Sequence, residues 1–202
     1  MIRGECYGRR QSSAPPVLFE LGLGLVHNEF VKATLEMINQ MQADGIIHHY
    51  AIGGAVAATF YLEPAATLDV DVFVLLANSG KGLVSLTPIY EYLKARGGVE
   101  EGEHIVLGDW PVQFFVPSSE LELEAIAASV PVDVEGVRTW VMLAEHLVAI
   151  ALSTGRAKDH IRVLQFIKEK AVDEVVLRAI VQKFGLLSKW EQFQRKFLEA
   201  SS

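Results

Sequence analysis

Sulfur chemistry is nearly absent from this sequence: Cys6 is its one cysteine. An intramolecular disulfide and a thiolate zinc cluster are therefore excluded, and a reducing, cytoplasmic setting is expected. Long apolar runs are lacking too. The stretch VLFELGLGLV, Val17 to Val26, is too short to span a bilayer and carries Glu20, and nothing ahead of it has the order of a secretory signal. Neither a membrane anchor nor export is expected. Basic residues are in deficit, with 18 Lys and Arg against 25 Asp and Glu for a formal net charge of −7. That balance disfavours a long nucleic acid held chiefly through its phosphates, while leaving room for a local basic patch.

Other signatures are missing as well. The six histidines show no His-x-x-x-His or His-Glu-x-x-His spacing on a helix, which argues against zinc. No Gly-x-Ser-x-Gly occurs to support a serine nucleophile. NSGKG around Lys81 lacks the full P-loop spacing, and GLGLVH lacks the third glycine of a dinucleotide fingerprint. Trp110, Trp140 and Trp190 are scattered, as core or interface residues are.

What is present is a chain of 202 residues, half of them hydrophobic and 21% charged, enough for one sizeable core. Residues 1–26 read as an N-terminal extension, 27–142 as an α/β core with antiparallel pairs, and 143–202 as a helical region. Phe30, Val31, Leu35, Ile38 and Met41 recur at helical steps, with Asn28 as expected cap and Gly45 as stop. IIHHYAI is a predicted strand ending at Gly53-Gly54, and AVAATFYL a buried helix broken before Pro64. TLDVDVFVLL is a strand and LTPIYEYLKARG a short helix. HIVLGDWPVQFFVP and VPVDVEGVRTWVM are two strand pairs turned at Gly108 to Pro111 and at Glu135-Gly136. After Met142 four amphipathic helices follow, the last opening on a predicted capping box, Ser188 to Glu191.

Within the TLDVDVFVLL strand, alternation places Asp69 and Asp71 on one side with Thr67, and Val70, Val72 and Val74 on the other. The two carboxylates then sit roughly 6 to 7 Å apart at the backbone, near enough to converge on a divalent cation. Without one they repel, and one pKa rises. A bare Asp-x-Asp also occurs on solvated sheet faces. Here it follows a glycine pair at a strand-to-helix turn, where missing Cβ atoms let phosphate oxygens approach backbone N–H groups.

The sequence GGA at Gly53 to Ala55, followed after an apolar helix by Thr67-x-Asp69-x-Asp71, resembles the nucleotidyltransferases of the DNA polymerase β superfamily. The likeness extends in element order from about His27 to Lys170, and STGRAKDH, Ser153 to His160, resembles the basic turn that several bacterial members carry. The resemblance implies a mixed sheet flanked by helices. It implies Mg²⁺ held by Asp69 and Asp71, with Mn²⁺ as a substitute, and NTP phosphates against Gly53, Gly54 and Thr67. It also implies transfer of a nucleoside monophosphate with loss of pyrophosphate. Lys158, with Arg156 beside it, is the candidate phosphate contact; the alternative is a solvated helix connection with Asp159 as the next N-cap.

Two positions depart from the family's pattern. Its usual third carboxylate falls in WPVQFFVP, where the polar side chain is Gln113, and an amide is no general base. Asp109, nearby, reads as a turn residue. An arginine that many members place two residues before the threonine is here Ala65. Two readings therefore stand. One is an active transferase with an unidentified acceptor. The other is a degenerate module on the same fold that binds a nucleotide or a protein partner. Trp190, Phe193 and Phe197 share one stripe of the last helix, expected either to pack on the core or to serve homodimerisation or the docking of a partner.

Overall fold

Alternation in β2 (Val70–Leu76) sets the middle of the sheet. Val70, Val72 and Val74 are fully buried on one face, while Asp71, Phe73 and Leu75 point to the other and are only partly covered. The structure, a computed structural model, describes residues 25–63, 69–77, 85–108 and 110–198, with side chains in the first helix from Val31 onward.

Around β2 the described strands form one mixed sheet. They are β1 (Ile47–Ile52), β3 (Val99–Glu101), β4 (His104–Leu107), β5 (Trp110–Phe115), β6 (Val130–Val134) and β7 (Val137–Val141), in the order β3-β4-β5-β2-β1-β7-β6. The β1–β2, β3–β4, β4–β5 and β6–β7 pairs are antiparallel; β2–β5 and β1–β7 are parallel. The expected mixed α/β fold is the fold observed.

On the Val70 face lies α1 (Leu25–Ala43), which buries Val31, Leu35, Ile38 and Met41. Tyr50 of β1, on that same side, donates its hydroxyl to Asn39 Oδ1 at 2.8 Å and meets Thr139 Oγ1 at 3.0 Å, which fixes helix to sheet. The opposite face takes α2 (Gly54–Ala58) against β2 and α4 (Glu120–Ala127) against β1. Then α5 (Ala144–Thr154) packs on both helices and on α6 (Ala157–Lys168), α7 (Glu174–Lys183) and α8 (Leu187–Phe197). A single apolar cluster runs from β2 into α5, α6 and α7. α3 (Thr87–Lys94) covers β3 and β4 with Ile89 and Leu93.

Four local expectations change. The first helix begins at Leu25, so Asn28 lies inside it rather than capping it. α2 stops after five residues, and Thr59 to Tyr61 continue as turns. Ser188 does not cap α8: Gly185, at φ 68°, closes α7 so tightly that the next helix starts from the buried Leu186. Asp159 is the third residue of α6, not its cap, which is Arg156. Two elements had no counterpart in the sequence reading. One is β3; the other is α4, although Ser119-x-x-Glu122 carries a capping signal, and Ser119 Oγ does accept from Glu122 N. Among the described residues no helix is long and apolar enough to cross a membrane.

Candidate functional site

The glycine pair and the aspartate strand meet because β1 and β2 pair. Ile52 is in register with Val72, and the next residue along, Gly53, donates its N–H to Asp71 O at 2.9 Å. Each glycine then lies against one β2 side chain. A Cβ on Gly54 would fall 1.7 Å from Asp71 Oδ2, and one on Gly53 would fall 2.6 Å from the Phe73 ring. Gly54 also has φ +61°, a conformation L residues seldom adopt. The close approach these glycines permit is thus first of all the approach of the protein's own carboxylate.

Asp71 is in register with Gln113 of β5, and Phe73 with Phe115, so these four side chains share one surface. The two phenyl rings stack at 5.1 Å and 24°. Gln113 stands where the sequence placed the missing carboxylate, and its Nε2 donates to Glu103 Oε2 at 3.2 Å. Glu103 comes from the β3–β4 turn, where Tyr90 holds it by donating to its carbonyl oxygen at 3.1 Å. The next residue, His104, puts Nε2 3.7 Å from Asp69 Oδ2. Glu103, His104 and the Phe73–Phe115 pair were missed from sequence. The hairpin VEEGEHIVL, with a turn glycine between alternating residues, was the signal that could have found the first two.

Burial, and next the Asp69 charge, push the Asp71 carboxyl above its ordinary range; Arg162, Lys158 and Arg156 pull it back. The expected Lys158 is therefore brought within electrostatic reach of Asp71, as is Arg162, one helical turn further along α6 and not foreseen. Among the described residues no side-chain hydrogen bond reaches Asp71. Arg156 is otherwise engaged: its Nε donates to Asp159 Oδ2 at 2.7 Å and its Nη2 to Asp159 Oδ1 at 3.3 Å. Thr67, Ala65, Lys81 and Asp109 lie outside the described residues.

Two hard carboxylate donors side by side, one without a hydrogen-bond partner in the described structure, suit Mg²⁺, which takes one or two carboxylates and keeps its remaining positions for water and phosphate. Among the described residues no third His, Cys, Asp or Glu joins them to close a protein cage. Phosphate is also the group that the cations of α6 and the α5–α6 turn would meet.

No protein-family model matches the chain, and no curated protein sequence does. Among solved structures, an antigenic nucleotidyltransferase-like protein from Paracoccidioides brasiliensis is similar over 86% of this chain and 91% of its own, with a TM-score of 0.55 at 14% identity. Two structures of the antibiotic-resistance factor ANT(2'')-Ia, one of them in complex with adenylyl-2''-tobramycin, align more loosely, with a TM-score of 0.44 each. They are 16% and 14% identical, covering 80% and 79% of this chain and 97% and 99% of theirs. At 14% identity the first of these likenesses is one of fold: the chain has a fold similar to that of a nucleotidyltransferase-like protein.

Proposed function

We propose that the chain is a Mg²⁺-dependent nucleotidyltransferase that moves a nucleoside monophosphate from an NTP to the hydroxyl of an acceptor yet to be identified. The observation that carries this reading is that Asp71 feels the charge of Asp69 beside it, with Gly54 leaving the room in which Asp71 is seated. Asp69 and Asp71 would hold the cation, Mg²⁺ or Mn²⁺, which when bound neutralises charge on the phosphates and on departing pyrophosphate. Lys158 and Arg162 favour anions on the same side, and the turn at Gly53 and Gly54 would lie against the NTP phosphates.

In the reaction the acceptor oxygen bonds to the α-phosphorus, the bond from that phosphorus to the bridging oxygen breaks, and pyrophosphate leaves with the electron pair. The acceptor proton needs a base. Gln113 cannot take it, since an amide has no basic lone pair at neutral pH. Glu103, whose carboxylate Gln113 already holds over this surface, is the group that can. The second reading, a module that binds a nucleotide without transferring it, is favoured by one observation: the residue opposite Asp71 is an amide.

Incubation of the purified chain with α-labelled NTPs, Mg²⁺ and cell lysate separates the two. Transfer of label that Asp69→Ala abolishes and Glu103→Gln lowers by about 100-fold or more supports the enzyme with Glu103 as base. Transfer that survives Glu103→Gln removes the base assignment alone. NTP binding without any transfer establishes the second reading, and a chain that binds no NTP with Mg²⁺ defeats both.

A further inference from the structure

Away from the aspartates, a pocket of about 200 Å³ opens between the α5–α6 turn and α8. Its walls are Leu152 and Gly155 on one side, His160 on a second, and Lys189, Gln192, Phe193, Lys196 and Phe197 of α8 on the third. In a chain with a net charge of −7, the described residues that line this pocket include two lysines and a histidine and no carboxylate.

The apolar part is aromatic and ordered by mutual contact. The His160 ring lies 5.3 Å from Phe197 and 5.9 Å from Phe193, and those two phenyl rings are 5.0 Å apart. Trp190 stacks on Phe193 from behind, at 10° between planes. Phe193 is buried, so the stripe foreseen on α8 is used in part within the chain. Lys196 Nζ sits 5.1 Å from the centre of the Phe197 ring, held at the rim by the ring face. Lys189 donates one hydrogen bond to Ser153 O, which fixes the ammonium and leaves two of its three donors to serve another acceptor.

Helix α6 separates this pocket from the aspartate site. Lys158 and Arg162, one turn apart, act on Asp71. His160, two residues after Lys158, is turned about 200° around the helix and faces α8 instead.

We propose that this pocket binds a small aromatic anion, a ring carrying a carboxylate or a phosphate, at a site distinct from the one holding Asp69 and Asp71. The partly exposed His160 and Phe197 rings, backed by the buried Phe193, give the wall its aromatic character, the lysines fix the charged end, and the volume, below the range of ordinary drug-sized pockets, limits the ligand to about the size of a single substituted ring. The site needs no divalent cation and does not depend on the transferase reading.

Titration of the full chain with phenyl phosphate in EDTA, followed by proton NMR of the His160 imidazole, tests it. The expected result is a saturable shift with a dissociation constant on the order of 1 mM or tighter, the scale a ligand of this size reaches. The same binding is expected in Asp69→Ala and with benzoate. Inorganic phosphate and benzyl alcohol, each carrying half of the recognised chemistry, are expected to bind at least ten-fold more weakly. The exposed pair Lys189→Gln/Lys196→Gln is expected to weaken phenyl phosphate by ten-fold or more without changing the melting temperature. Equal affinity for inorganic phosphate overturns the proposal, as does equal affinity for benzyl alcohol. Unchanged binding in the lysine double variant, or binding lost in Asp69→Ala, overturns it as well.

Discussion

Two aspartates in this molecule are taken largely out of water, and the fold treats them in opposite ways. Asp159, in the first turn of α6, is 1% exposed. Burial works against its charge, but hydrogen bonds from Arg156 and from Thr154 Oγ1, the latter at 2.7 Å, outweigh it and hold the carboxyl below its ordinary value. Asp71, on β2, receives no side-chain hydrogen bond among the described residues, faces a second carboxylate, and is pushed the other way. Chemistry that is satisfied from within reads as architecture. Chemistry left unsatisfied, at a place where a glycine was needed to make room for it, reads as a request for something from outside.

Three changes would break or sharpen that contrast. The largest expected effect is that of Gly54→Ala. A residue with a Cβ at φ +61° costs about 1–2 kcal/mol on backbone grounds alone. The methyl would also collide with Asp71 Oδ2, so the carboxylate must move. Loss of Mg²⁺-dependent thermal stabilisation in the presence of NTP, together with a lower melting temperature without them, is the expected pair of results. A Gly54→Ala protein that still responds to Mg²⁺ and NTP would show that Asp71 need not be seated there.

Next is Asp159→Asn, expected to destabilise the protein by about 1–2 kcal/mol at neutral pH through the loss of charge-assisted hydrogen bonds. Because the folded value is lowered, the stability Asp159 contributes is present above the ordinary value of 3.8 and is lost as pH falls through the lowered one. Denaturation of variant and parent at several pH values should therefore differ most at neutral pH and converge only in acid.

Smallest, and opposite in sign, is Asp71→Asn. With the folded value raised, the parent loses stability as pH rises from 3.8 through that value, a cost the amide does not carry. In metal-free buffer at pH 7 the variant should melt slightly higher than the parent, with the gap closing towards pH 4. Addition of Mg²⁺ and NTP should reverse the order, since only the parent can use them. A variant less stable than the parent in EDTA would mean that Asp71 is already satisfied within the fold.

Much of this arrangement could be read from the chain. The alternation of Val70, Val72 and Val74 against Asp69 and Asp71 gave the strand and its two faces, because one face is fully buried and a shift of one residue would expose it. The helices after Met142 declared themselves through their apolar stripes. What the sequence withheld was partnership across the sheet. Glu103 is ten residues from Gln113 and 32 from Asp71, and only the turn between β3 and β4 returns it to their surface. The role of Asp159 was also hidden: a carboxylate at the head of a helix reads as a cap unless one knows that Arg156 and Thr154 turn towards it. For the same reason α4 escaped notice, its acidic surface outweighing the three residues, Leu121, Ala125 and Ile126, that bury it.

The hydrogen bond from Gly53 to Asp71 carries one more implication. Two signatures well separated along the chain are stitched together by neighbouring strands, so the ladder, and not the length of the connection, determines where they meet. Insertions or deletions between them would leave this meeting point intact as long as Ile52 still lies beside Val72. A slip of the ladder by one step would dismantle it without altering a single side chain.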